Sequence, residues 1–102
     1  MLKHANESNF QEMTGKGLVL VDFFATWCGP CRMLGPVLED MANDRDSIDI
    51  VKVDIDESMN LARQFGIMSV PTLILFKDGK EIAKTGGFQP KESLQQFIDN
   101  NK

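Results

Sequence analysis

Two cysteines, Cys28 and Cys31, stand in the run Trp27-Cys28-Gly29-Pro30-Cys31, and the chain has no others. A thiolate attacks a disulfide sulfur, and a second thiol held beside it can then break the mixed disulfide that results. A spacing of three residues on one helical turn brings two side chains together in this way. The flanking residues support that placement. Leu18 to Phe24 is apolar and strand-like, and Arg32 to Leu38 is helix-like. Cys28 therefore falls at a strand-to-helix turn, where unpaired helix N–H groups and the positive end of the helix dipole favour a thiolate over a thiol. A thiol at its ordinary pKa of about 8.5 is only ~3% thiolate at pH 7, and one brought to about 7 is half thiolate. Lower basicity cuts that ~15-fold gain to roughly threefold. Position must therefore matter as well as acidity.

Two other uses of a cysteine pair are weaker. A structural zinc site needs four ligands, and beyond the pair the sequence offers one distant histidine, His4, which reads as a surface residue. An inert structural disulfide closing so short a loop contributes only about 2 kcal/mol in the chain-entropy model. A chain of 102 residues also buries a core without such a staple. Cys28 is read as the nucleophile and Cys31 as the resolving thiol. Pro30, near the first helical position, costs no hydrogen bond and fixes φ.

Asp22 interrupts the otherwise apolar strand before the cysteines. Burying an ionised carboxylate is expensive, so its pKa should rise toward the range of a proton carrier at neutral pH. Lys52, on a neighbouring strand, is its expected charge partner. The competing reading is a paired core carboxylate without a catalytic role.

The elements that must hold these residues follow from periodicity. A short strand is expected near Leu2 to Ala5. A helix follows around Phe10, Met13 and Thr14, opened by a capping box of Ser8 and Gln11 and ended at Gly15-Lys16-Gly17. Leu18 to Ala25 is apolar on both faces and reads as a central buried strand. From about Pro30, Leu34, Val37, Leu38 and Met41 recur at helical spacing to roughly Asn43, with Pro36 inside. Ile48 to Ile55 is a second long strand, Ser58 to Phe65 a helix closed at Gly66, and Thr72 to Phe76 a third strand. Lys77-Asp78-Gly79-Lys80 reads as a hairpin turn into Glu81 to Thr85, and Pro90 opens a last helix with Leu94, Phe97 and Ile98 on one stripe. The expected class is α/β: a mixed central sheet in the order β-α-β-α-β-α-β-β-α, covered by helices on both faces. Ligands approach such sheets beyond the carboxyl ends of the strands, where Cys28 lies.

The length suits one domain, residues 1–102, and the composition is that of an ordinary soluble globular protein. A net charge of −4 with no Lys/Arg cluster argues against phosphate-held nucleic acid. No apolar run approaches a membrane span, and the N-terminal residues carry no export signal, so a cytoplasmic location and no membrane partner are expected. Gly86-Gly87 is not part of a G-x-G-x-x-G unit, so no dinucleotide cofactor is expected, and no metal.

Taken together, these residues resemble the thioredoxin family over essentially the whole chain. Asp22 to Cys31 is similar to the family's active-site segment, Val51-Lys52-Val53-Asp54 to its central strand, Val70-Pro71-Thr72 to the loop facing the cysteines, and Gly86-Gly87-Phe88 to the glycine turn bordering its groove. The resemblance implies the thioredoxin fold and a cis bond before Pro71. It also implies client pairing along the backbone of Val70, proton transfer from Cys31 to Asp22, and redox tuning by Gly29 and Pro30. Gly-Pro between the cysteines is similar to the reductant members, whereas oxidants and isomerases more often carry a histidine there. Trp27, Met68, Val70 and Gly87 are expected to form a shallow apolar rim around Cys28. One departure is Phe24, where many members carry a second tryptophan; the ring keeps apolar bulk but has no N–H donor. The implied activity is that of a monomeric protein-disulfide reductase and electron carrier, re-reduced by a thioredoxin reductase and acting on disulfide-containing client proteins. A binding module with incidental thiols and an oxidase or isomerase on the same fold are the rival readings.

Overall fold

The strand Leu18–Phe24 is apolar on both faces because both of its faces are covered. In the computed structural model, which describes residues 2–44 and 48–102, it occupies the middle of a five-stranded sheet. In chain order the elements are β1 (Leu2–Ala5), α1 (Phe10–Thr14), β2 (Leu18–Phe24), α2 (Gly29–Asp44), β3 (Ile48–Asp54), α3 (Met59–Gln64), β4 (Thr72–Lys77), β5 (Lys80–Gly86) and α4 (Lys91–Asn101). The strands lie in the order β1-β3-β2-β4-β5. β1 and β2 each pair with β3 in parallel, whereas β4 pairs antiparallel with both β2 and β5. Val51 to Asp54 thus lies in β3, beside the middle strand.

The two-residue period of a strand divides the core. Leu20, Ile50, Leu73 and Leu75 pack with Leu34, Leu38 and Met41 of α2 and Leu94 and Ile98 of α4. On the other face Val19, Val21, Phe23, Val51, Val53, Ile74 and Phe76 pack with Phe10 of α1 and Leu61 of α3. By the same alternation Asp22 and Lys52, opposite each other in the β2–β3 register, share the face covered by α2 and α4. Lys91 at the start of α4 bonds Asp40 at 3.0 Å and also Asp44, tying that helix to α2.

The order and type of every element agree with the sequence reading, with ends that move by one or two residues. Two local details differ or sharpen. The expected Ser8–Gln11 capping box is absent: the Asn6 side-chain oxygen accepts from the backbone N–H and hydroxyl of Ser8 and from the N–H of Asn9, so Asn6 organises the entry to α1 instead. In the β4–β5 hairpin both central residues have positive φ, Asp78 at 50° and Gly79 at 84°, the geometry that matches the twist of the strands.

Leu20 lies in the middle strand with no exposed surface. Leu20→Ala is expected to lower stability by about 2–5 kcal/mol, read from urea unfolding; a loss below about 1 kcal/mol would mean that the core collapses around the gap.

Candidate active site

β2 ends at Phe24, and the chain turns at once into α2. The N–H of Cys28 bonds the carbonyl of Ala25 at 3.3 Å, and Gly29 begins the helix. Pro30 is its second residue, where a missing N–H loses nothing. Cys28 and Cys31 are joined in a disulfide, with Cα atoms 5.2 Å apart. The backbone N–H of Cys31 points at Cys28 Sγ from 3.2 Å. A free N–H in the first turn of a helix, aimed at this sulfur, is where a thiolate would be stabilised once the bond opens. Exposure hardly distinguishes the two cysteines, at 5% for Cys28 and 2% for Cys31. The expected difference in shelter is therefore small in the disulfide form, and the amide of Cys31 is what sets Cys28 apart.

The loop before β4 faces this sulfur. The Val70 carbonyl oxygen lies 3.6 Å from Cys28 Sγ, and the Val70–Pro71 peptide is cis, as the family resemblance implied. The Pro71 carbonyl accepts from the N–H of Gly87 at 3.0 Å. Gly87 has φ of 81°, a left-handed conformation that side-chain-bearing residues rarely adopt, which explains a glycine there. Through that bond the end of β5 is fixed beside the proline.

Asp22 has no exposed surface, and neither of its carboxylate oxygens has a hydrogen-bond partner among the described residues. Burial pushes its pKa from 3.8 up to about 7, with the positive charge of Lys52 pulling the other way. Lys52 is also committed elsewhere: its Nζ lies 4.4 Å from the centre of the Phe24 ring, a cation–π contact. Phe24 thus supplies a π-face, and His4 packs edge-on against it at 6.3 Å. A depression of about 240 Å³ lined by Phe24, Ala25, Thr26, Cys31, Arg32 and Lys52 opens this side of the site to solvent.

Trp27, Met68 and Val70 line a second depression of about 250 Å³ with Ile55, Ile67 and Ser69. Gly87 is not in that lining and adjoins it through Pro71. Four contributors went unread in the sequence. Asp56 accepts from the Trp27 indole N–H at 2.9 Å, holding an otherwise exposed ring. Arg32 Nη1 donates to the Thr26 carbonyl at 3.1 Å, bracing the turn before Cys28. Ile55 and Ile67 complete the apolar floor. Only the alternation leading into Asp54-Ile55-Asp56 hinted at the loop, and nothing paired it with Trp27.

A vicinal cysteine pair at the start of a helix, a facing proline loop and a buried carboxyl on the sheet beneath define a site for thiol–disulfide exchange. The comparisons with known proteins agree. The Thioredoxin family model matches residues 1–100. A thioredoxin of Staphylococcus haemolyticus is 53% identical over 96 residues, covering 93% of this chain and 92% of its own. A thioredoxin of Chlamydia muridarum is 50% identical over 102 residues and all of both chains. A crystal structure of Malassezia sympodialis thioredoxin (Mala s 13) superposes with a TM-score of 0.89 at 36% identity, covering 98% of this chain and 90% of that one. The chain belongs to the thioredoxin family. It is a thiol–disulfide oxidoreductase whose redox pair is Cys28 and Cys31.

The raised pKa of Asp22 makes stability depend on pH with a definite sign. Below about pH 4 the carboxyl is neutral in both the folded and the unfolded chain. Between about 4 and 7 the unfolded chain loses the proton while the folded chain keeps it, so stability falls as pH rises. The total approaches about 4 kcal/mol above pH 7. Asp22→Asn is therefore expected to stabilise the protein more at pH 8 than at pH 4.5 in urea unfolding. Equal effects at both values would show that the carboxyl titrates normally.

Proposed function

We propose that this chain is a general reductant of protein disulfides. The observation that carries the proposal is the Cys31 N–H directed at Cys28 Sγ in the first turn of α2, opposite the Val70–Pro71 loop. In the reduced form the Cys28 thiolate attacks one sulfur of a client disulfide, forming a mixed disulfide and releasing a client thiolate. Cys31 then gives its proton to Asp22 and attacks Cys28 Sγ. The mixed disulfide breaks, the second client sulfur leaves as a thiolate, and the Cys28–Cys31 disulfide remains. Two electrons pass to the client. Asp22 suits the proton step because its carboxyl titrates near neutral pH and lies on the sheet face under α2. Lys52 tempers that carboxyl, and Gly29 and Pro30 set the geometry of the loop between the sulfurs.

The client segment docks on Trp27, Met68 and Val70, pairs in extended form with the backbone at Val70, and is bounded by Pro71 and Gly87. Strand β4 begins only at Thr72, which leaves the Val70 backbone outside the β4 ladder. Residues 1–102 act as a single-domain monomer in the cytoplasm. They use no cofactor of their own and are re-reduced by a thioredoxin reductase. Among the described residues no helix is long and apolar enough to cross a membrane.

Two measurements test this. Cys31→Ser is expected to accumulate mixed disulfides with client proteins, seen on non-reducing gels, and Cys28→Ser is not; equal trapping by both would remove the division of labour. In glutathione buffers the wild-type pair is expected to stay oxidised at ratios that reduce mixed glutathione disulfides, by thiol alkylation and intact mass. A pair reduced as easily as an oxidant's would reverse the assigned direction.

A further inference from the structure

The chain has six methionines, and the described ones differ sharply in exposure. Met41 is fully buried in the α2 face of the core, and Met13 is partly buried. Met33 and Met59 are 61% and 53% exposed, whereas Met68 is 95% exposed. Met68 also lies in the wall of the depression with Trp27 and Val70, two residues before the loop carbonyl that faces Cys28. In the disulfide form both cysteine sulfurs are bonded and buried, so the thioether of Met68 is the most accessible reduced sulfur beside the reacting pair.

We propose that Met68 is a hydroperoxide-sensitive modification site that lowers the protein's activity toward protein clients without touching its cysteines. The inference rests on the assignment of Met68 to the client-binding rim. The Met68 sulfur lone pair attacks the terminal oxygen of a hydroperoxide ROOH, and the O–O bond breaks. A sulfoxide forms and ROH leaves with the remaining proton. The sulfur is oxidised by two electrons and the peroxide reduced by two. A flexible apolar side chain becomes a polar, chiral one, and the change is chemically reversible. An S=O group in the apolar wall must lose part of its hydration whenever a client segment covers it. A small disulfide that reaches Cys28 without covering the rim does not incur that cost.

The test treats the disulfide-bonded protein with hydrogen peroxide and locates the added oxygen by peptide mass. Met68 is expected to gain it first, Met33 and Met59 later, and Met41 last. After removal of peroxide, kcat/KM toward a disulfide-containing protein such as insulin is expected to fall roughly three- to tenfold. The rate with 2-hydroxyethyl disulfide should stay within about twofold. Met68→Leu should show the same rate before and after peroxide, whatever its starting value, and Met68→Gln should resemble the treated wild type without peroxide. Oxidation of Met33 or Met59 ahead of Met68, or an equal peroxide loss in Met68→Leu, would overturn the proposal. Wild-type rates toward the protein in untreated Met68→Gln would remove Met68 from the rim and the proposal with it, while leaving the reductant reading intact.

Discussion

The backbone amide of Cys31, aimed at Cys28 Sγ from 3.2 Å, is the contact on which the site depends. It exists because β2 stops at Phe24 and α2 begins within five residues, so a first-turn N–H of a sixteen-residue helix is directed at one sulfur. The diffuse field of a helix end is worth about 0.3–1 kcal/mol, less than a tenfold effect on acidity. A hydrogen bond to a charged group is worth about 1.5–3 kcal/mol, so the directed amide outweighs the dipole. The rest of the fold can be understood as holding that turn still. α2 is anchored by Leu34, Leu38 and Met41 on the sheet, and Arg32 fastens its first turn to Thr26.

The second constraint is a carboxyl placed where nothing solvates it. Asp22 faces Lys52 across the β2–β3 register, yet the ammonium lies over the Phe24 ring, and desolvation outweighs the attraction. An ion pair with full contact would have held the carboxyl ionised well below neutral pH, out of range for the proposed proton transfer. The incomplete pairing is thus what places the group near pH 7. It comes at the expense of stability, in the direction expected when a functional site breaks the rule that buried charges are matched.

Much of this was legible in the sequence, for definable reasons. Hydrophobic period separated helices from strands, and Asp78-Gly79 marked the hairpin, because those signals are local. Asp22 stood out because a single carboxylate broke an apolar run. What was not legible depends on loops meeting across long stretches of chain. Trp27 and its acceptor Asp56 are 29 positions apart, whereas Cys28 and the Val70 carbonyl, 42 apart, were brought together only by the family resemblance. Neither pair has a periodic signature. The capping box at Ser8 failed for a different reason. Asn6, two residues upstream, takes the Ser8 N–H and hydroxyl, and its Asx geometry prevails over the spacing rule.

The edges of the sheet carry a further consequence. Rows of unpaired N–H and C=O groups invite a foreign strand, and both outer strands of this sheet resist one. β1 has only four residues, while β5 sets exposed Lys80, Glu81 and Lys84 along its length and meets β4 across an irregularity at Leu75 and Phe76. Short length, exposed charge and a broken register disfavour pairing with a foreign strand at either border. The borders of the sheet are thus closed to extended segments of the kind proposed to pair at the Val70 backbone.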